Sequence, residues 1–363
     1  MEILVKKLFE LDRLNNQVIS REVNTQDVKE YIDEVISKMV DKKDSRKYIV
    51  KDESTQVISG INKIISGITI ENDNNMYIAA ASENGLNYVD SITKSIALRL
   101  LEKEEIVNEK IERTKREVKK GSFLFAISKI SKKESLKGAY LAYLSKIEHA
   151  RFLDLSELVK KIGLPFSKIV HRSCIIYYDD NLEIQDIELL DSNSTLAVHW
   201  WDYFLELKEA TSDYTNTENS YNGIKTLIDT NFKSKSEADH FQLINNLKSF
   251  YSTKKSFKYD EAVEYIVGSY EPVNKDINIK EFKERLQQLP SVANFDRNFN
   301  IDIKPIKKKL NQKIKVNDKI NLDLKEGTKN VRHFLKAYQE PDGTKYLKIL
   351  DISNEAYNRF KDY

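Results

Sequence analysis

The chain has 363 residues, 40% apolar and 32% charged, a balance that supports buried cores and excludes disorder along its length. Fifty-nine Lys and Arg face 57 Asp and Glu, a formal net charge of +2, so the whole-molecule field does not decide for or against a polyanionic partner and local clustering must. The single cysteine, Cys174, excludes an intramolecular disulfide framework, and the charged N-terminus MEILVKKLFELDRLNN has no signal-type apolar core, so a cytoplasmic chain without a membrane span is expected.

Gln26–Met39 reads as a helix, with Thr25 as N-cap and Val28, Ile32, Val35 and Ile36 on one face. Glu53–Thr69 repeats the pattern with Val57, Ile61, Ile64 and Ile65. Ser91 to about Val118 is a long helix, apolar early and charged late, stopped by Gly121. Two short apolar runs, GSFLFAISK (121–129) and AYLAYLSKI (139–147), read as strands. LDLSELVKKIG (153–163) has the form of a short helix capped by Asp154 or Ser156 and ended by Gly163. CIIYYDDNLEIQDIELL (174–190) reads as a hairpin turning at Asp179-Asp180-Asn181.

From Thr195 to about Leu289 the period becomes helical. Leu196, Trp200, Tyr203, Phe204 and Leu207 form one stripe. Ser236 opens SEAD, a capping-box pattern ahead of Phe241, Ile244, Leu247 and Phe250. Two more helices are predicted near 259–267 and 278–289. From about Asn294 the chain is mixed and basic, with strand-like alternation and a turn at Asp342-Gly343 between AYQE and KYLKIL. The fold class expected is α+β, in three parts: a mixed N-terminal domain (1–191), a helical middle (192–290) and a small basic α/β C-terminal region (291–363).

No phosphate-cradling glycine loop, nucleophile elbow, HExxH or paired-cysteine motif is present, so no catalytic residue, metal ligand or cofactor is assigned. His171 and Cys174 stand as HRSC, but no two further zinc ligands follow at usable spacing, and the reading is a buried Cys near a surface His. Glu206-Leu207-Lys208 has the E-x-K form, with Asp191 upstream. A metal-dependent nuclease needs such carboxylates at a strand edge, and here the triplet falls in a helical stripe.

Two basic clusters carry more. Arg113, Lys115, Arg116, Lys119 and Lys120 close the long helix, where cations also suit the helix C-terminus. Lys304, Lys307, Lys308, Lys309, Lys313, Lys315 and Lys319 are opposed only by Asp318 within their span and Asp302 just before it. That local excess is more than solubility requires and suits a phosphate backbone. The scarcity of arginine there favours backbone contact over base-edge readout. Tyr214, Tyr221 and Tyr251 fit packing better than base stacking. Trp200 is in phase with the apolar stripe and belongs to the core; Trp201 is in phase with Leu205 and Lys208 and belongs at an edge or interface.

The aromatic stretch HWWDYFL (199–205), the polar loop after it and the helix beginning Tyr221-Asn222-Gly223-Ile224 resemble the middle of the bacterial nucleoid-associated protein family of the NdpA/YejK type. GSFLFAISK followed by AYLAYLSKIEHARFLDLSELVKKIGL resembles that family's two strands and leucine-aspartate helix start, and KINLDLKEGTKNVRHFLKAYQEPDGTKYLKIL resembles its closing strands. The likeness covers about 115–350, is weaker in the N-terminal third, and rests on order and spacing. The family usually has a glycine soon after its F-L, whereas here Phe204-Leu205 runs into Glu206. The resemblance implies non-catalytic, largely sequence-independent binding of double-stranded DNA, as a homodimer on the nucleoid, with topoisomerase IV as a protein partner. On that reading the lysines from 304 to 319 are phosphate contacts, the 113–120 cluster supports them, and Trp201 lies at the dimer interface. Two alternatives remain: a protein-interaction subunit of a phage or phage-defence system without DNA binding, and, less favoured, a metal-dependent nuclease.

Overall fold

The computed structural model describes residues 2–361, apart from 42–44, 53–54, 70–82, 112–117, 131–138, 155–158, 166–170, 192–196, 312, 326–327 and 329. The fold class is α+β, and the chain forms two compact units, Met1–Thr211 and Ser212–Tyr363.

The first unit is built on strands β1 (Glu2–Asp12), β2 (Gln17–Arg21), β3 (Arg46–Val50), β4 (Gly121–Lys129), β5 (Tyr140–Glu148), β8 (Arg172–Tyr178), β9 (Ile184–Asp191) and β10 (Leu207–Glu209). They form one sheet in the order β10-β3-β9-β8-β5-β4-β1-β2, antiparallel at each pairing. Helix α1 (Gln26–Asp41) buries Ile32, Val35, Ile36 and Met39 against one face, beside Leu124, Tyr143 and Ile175. Helices α2 (Gln56–Thr69) and α3 (Glu83–Ile111) cover the other face, over Phe123, Phe125, Leu144 and Ile176. With both faces covered, β4 and β5 are buried at almost every position. This is why their sequences read as unbroken apolar runs rather than alternation.

The periodic helices α1 and α2 fall where expected, with Val57, Ile61, Ile64 and Ile65 all buried. The hairpin β8–β9 turns as predicted, with the Asp179 carboxylate accepting from the amides of Asn181 and Glu183, both at 2.9 Å. Strand β1 had no sequence signal, because Lys6 and Lys7 interrupt it. Their ammonium groups pair with Asp33 and Asp90, which lets long side chains stand beside buried Val5, Leu8 and Phe9.

Three expectations are corrected. The described parts of 153–163 are strand, not helix: Ala150–Asp154 (β6) and Val159–Gly163 (β7) pair as an antiparallel hairpin, while 155–158, with the cap candidate Ser156, lie outside the described residues. Pairing of the two arms satisfies their backbone groups across the hairpin. The long helix begins earlier, at Glu83, and its last described residue is Ile111. Gly121 opens β4 instead of stopping that helix; a Cβ there would lie 2.5 Å from the Ile147 carbonyl oxygen.

The third correction is the aromatic stripe. Leu196 lies outside the described residues. His199–Phe204 form a single π-helical turn, and Leu207–Glu209 leave it as β10, paired with β3. Between them Glu206 takes a left-handed backbone, φ +54°, which glycine adopts most easily. Arg99 of α3 holds the stop. It donates to the carbonyls of Phe204 (3.0 Å) and Tyr203 (2.9 Å) and pairs with Glu206 at 2.8 Å. Because β10 belongs to the sheet, the first unit extends to Thr211 rather than ending near 191.

A charged row crosses this sheet. Lys146 faces Arg172 across β5–β8, and Arg172 faces Asp191 across β8–β9. Lys146 is fully buried, pairs with buried Glu104 of α3 and donates to the Lys119 carbonyl at 2.9 Å. Asp191 accepts from Arg172 and from the Ala197 amide, both at 3.2 Å. Cys174 is buried in β8 and its thiol is pushed up by desolvation.

The second unit packs α4 (Asp213–Phe232), α5 (Glu237–Thr253), α6 (Tyr259–Ile266) and α7 (Ile279–Val292) around Tyr221, Phe232, Leu247, Phe250 and Phe282. Ser236 caps α5, its hydroxyl accepting from the Asp239 amide at 3.2 Å. Strand β11 (Ser256–Lys258) pairs with β12 (Asn298–Asn300), and Phe257 stacks on Phe299 at 4.4 Å. This pairing joins the residues after 291 to the helical core, so they form no separate body. Two hairpins follow, β13 (Lys313–Lys315) with β14 (Asn321–Asp323) and β15 (Leu335–Gln339) with β16 (Lys345–Ile349), and then the short helix Asn354–Phe360.

Candidate nucleic-acid interface

The seven lysines from Lys304 to Lys319 are all exposed. Their scaffold comes from the apolar residues among them. Ile306 is fully buried and Leu310 packs against the second unit's core. Between these anchors Lys307–Leu310 form one 3₁₀ turn, in which successive side chains splay about 120° apart. Three adjacent lysines therefore fan outward instead of stacking on one face.

The turn is tied to the helices. The Tyr221 hydroxyl donates to the Lys309 carbonyl at 3.3 Å, and Lys248 donates to the Asn311 carbonyl at 2.7 Å. Lys309 itself donates to the Asn222 side chain at 2.8 Å and lies 6.0 Å above the Tyr221 ring. Lys313 and Lys315 share one side of β13, and Ile314 between them is partly buried. Lys315 pairs with Asp318 at 2.7 Å, both strongly exposed, a contact of little energetic weight. Lys304, Lys307, Lys308, Lys313 and Lys319 have no side-chain partner among the described residues.

Lys248, beside the run, is a partly buried cation. Burial first, and then the Lys225 ammonium nearby, hold the Lys248 ammonium below the ordinary lysine range.

The other sequence-marked positions divide differently. Arg113, Lys115 and Arg116 lie outside the described residues. Lys119 and Lys120 are exposed in the first unit, where Lys119 pairs with Glu148 at 2.8 Å. Trp201 is half-buried, with its ring tilted against Tyr48 at 5.5 Å. Tyr221 and Tyr251 are core residues in edge contact, and Tyr214 is exposed. His171 is half-buried 3.7 Å from Glu148 rather than on the open surface.

The E-x-K triplet lies at the sheet edge, contrary to the helical reading. Its glutamate is nonetheless occupied: one Glu206 oxygen pairs with Arg99 and the other accepts from the Gln56 amide at the start of α2, 3.2 Å away. Asp191 is buried in its own ion pair. Among the described residues no group of three His, Cys, Asp or Glu is placed to hold a metal ion.

Sequence reasoning missed Lys336, Tyr338, Tyr346 and Lys348. Pairing outward from the Asp342-Gly343 turn sets Tyr338 opposite Tyr346 and Lys336 opposite Lys348, a register that the turn position alone would have supplied. Comparison of the chain with family models, with curated proteins and with solved structures finds no match.

Proposed function

We propose that this chain is a non-catalytic DNA-binding protein of the nucleoid-associated type. It binds duplex DNA mainly through phosphates, without strong sequence preference, and acts as a homodimer on the nucleoid, with topoisomerase IV as a protein partner. The observation that supports the reading is the run Lys304–Lys319. Its lysines are all exposed, five have no side-chain partner among the described residues, and buried Ile306 fixes the turn that carries three of them. A solvated surface gains nothing from concentrating like charges this way, whereas a polyphosphate gains from each one. The dimer, the nucleoid location and the topoisomerase contact rest on the family resemblance.

Alanine at Lys307, Lys308 and Lys309 tests it. The replacement is expected to weaken duplex binding at every sequence and to flatten the salt dependence. Unchanged affinity would remove these lysines from the site and leave the protein-interaction reading in front.

A further inference from the structure

Hairpin β15–β16 presents an unusual face. Residues two apart along a strand share a side, so Lys336 and Tyr338 of β15 stand with Tyr346 and Lys348 of β16. The register sets the two lysines directly opposite each other and the two tyrosines likewise. The tyrosine rings are stacked, with centroids 5.4 Å apart and planes 19° from parallel. They remain 42% and 46% exposed. Leu335 and Leu347, on the reverse side, are partly buried.

A cross-strand aromatic pair by itself strengthens a hairpin, which accounts for the tyrosines. It does not account for the lysines, because like charges directly opposite weaken the same hairpin. An anion between Lys336 and Lys348 turns that repulsion into a gain. The outer faces of the two rings offer flat aromatic surface beside that anion position. The acidic residues Glu340 and Asp342 lie at the hairpin's tip, so the favourable end for phosphate is the base of the hairpin, where the lysines are.

From this arrangement we infer that the β15–β16 face binds single-stranded nucleic acid, with bases stacked on Tyr338 and Tyr346 and a backbone phosphate between Lys336 and Lys348. Duplex DNA offers grooves and edges, since its base faces are already stacked on each other. Only an unpaired strand gives a tyrosine ring a base face to cover. The inference rests on the DNA-binding reading and deepens it: the run Lys304–Lys319 contacts duplex backbone, and this hairpin takes unpaired strand.

The test measures binding of fluorescein-labelled oligo-dT and of a random duplex, each about 20 nucleotides long, to the full chain at low salt. Two double variants are compared with the parent. Tyr338→Val/Tyr346→Val removes the stacking surface and keeps residues that favour strands. Lys336→Gln/Lys348→Gln removes the phosphate contact and, by relieving repulsion, strengthens the hairpin, so weaker binding by this variant cannot come from unfolding. Each is expected to weaken oligo-dT binding about tenfold or more and to leave duplex binding within about twofold. Ultraviolet crosslinking of an oligonucleotide carrying 5-iododeoxyuridine is expected to label the tryptic peptide Ala337–Lys345.

Parent protein that binds duplex but not oligo-dT, or oligo-dT affinity unchanged in both variants, overturns the inference and leaves the duplex reading intact. A parallel loss of duplex and oligo-dT binding in both variants also overturns it, because the hairpin would then be a general backbone contact. Parent protein that binds neither ligand overturns the DNA-binding reading and the inference together.

Discussion

Replacing Glu104 by glutamine strands the Lys146 ammonium in the interior of the first unit. The two side chains are 1% and 0% exposed, so water cannot take over from the lost carboxylate. Breaking a buried pair from one side costs about 3–5 kcal/mol, since the remaining charge keeps its desolvation penalty without its partner. Two features of the site bear on the size. The Lys119 carbonyl, 2.9 Å from the ammonium, still accepts a hydrogen bond. Against that, Arg172 and Arg13 add like charge, and burial already holds Lys146 below the ordinary lysine range despite Glu104. The expected loss is therefore about 4 kcal/mol. The double replacement Glu104→Leu/Lys146→Met removes both charges while keeping similar volume, and it is expected to lie within about 1 kcal/mol of the parent. Urea unfolding followed by tryptophan emission is the assay. The chain's two tryptophans, Trp200 and Trp201, both lie in the first unit, so the signal reports that unit alone. A Glu104→Gln loss under about 1 kcal/mol, or a double variant as unstable as the single, would refute this reasoning.

Other predictions concern acid stability, packing and binding. Burial chiefly, with Arg172 and Lys146 adding to it, holds His199 at about 4, down from 6.5. Its neutral form is the folded one, so the stability it contributes is full above pH 6.5 and is lost as pH falls through about 4. That loss amounts to about 3 kcal/mol, and His199→Gln is expected to flatten the stability profile in this window; an unaltered slope would count against it. Gly121→Ala brings a Cβ to 2.5 Å from the Ile147 carbonyl and 3.0 Å from the Lys146 side chain. It is expected to cost about 1–3 kcal/mol, and an unchanged urea midpoint would contradict the close approach. In Lys307→Ala/Lys308→Ala/Lys309→Ala, the slope of log K against log salt for duplex DNA is expected to become shallower by about 2 to 3. The lower figure applies if the Lys309 bond to Asn222 keeps that side chain away from phosphate. A slope equal to the parent's would show that none of the three touches DNA.

What the sequence revealed depended on how local the cause was. Helices α1 and α2 carry their apolar face in their own periodicity, and the β8–β9 turn carries its own Asp179. All three were legible. Strands β4 and β5 were legible as unbroken apolar runs because both faces are covered. The stop after Phe204 was not, because Arg99, more than 100 residues earlier, holds the final carbonyls. Without that contact in view, Leu207 fell in phase with a helix and the strand at the sheet edge disappeared. Segment 153–163 failed for a related reason: its residues suit a helix locally, whereas the strand is set by pairing with 150–154, which periodicity does not show. The density of lysines from 304 to 319 was visible directly, while their anchoring by Ile306 and Tyr221 needed the packed helices. The Tyr338–Tyr346 and Lys336–Lys348 pairs were accessible from the turn position, given the step of counting register outward from it.

The central claim is phosphate binding by the lysine run, and the most direct measurement is affinity for a short random-sequence duplex across a salt series with EDTA present. Five lysines without a side-chain partner among the described residues predict a linear fall of log K with log salt at a slope of about −4 to −5. Absence of binding at low salt, or binding that does not change with salt, would contradict the claim and leave the lysines as a solvated surface.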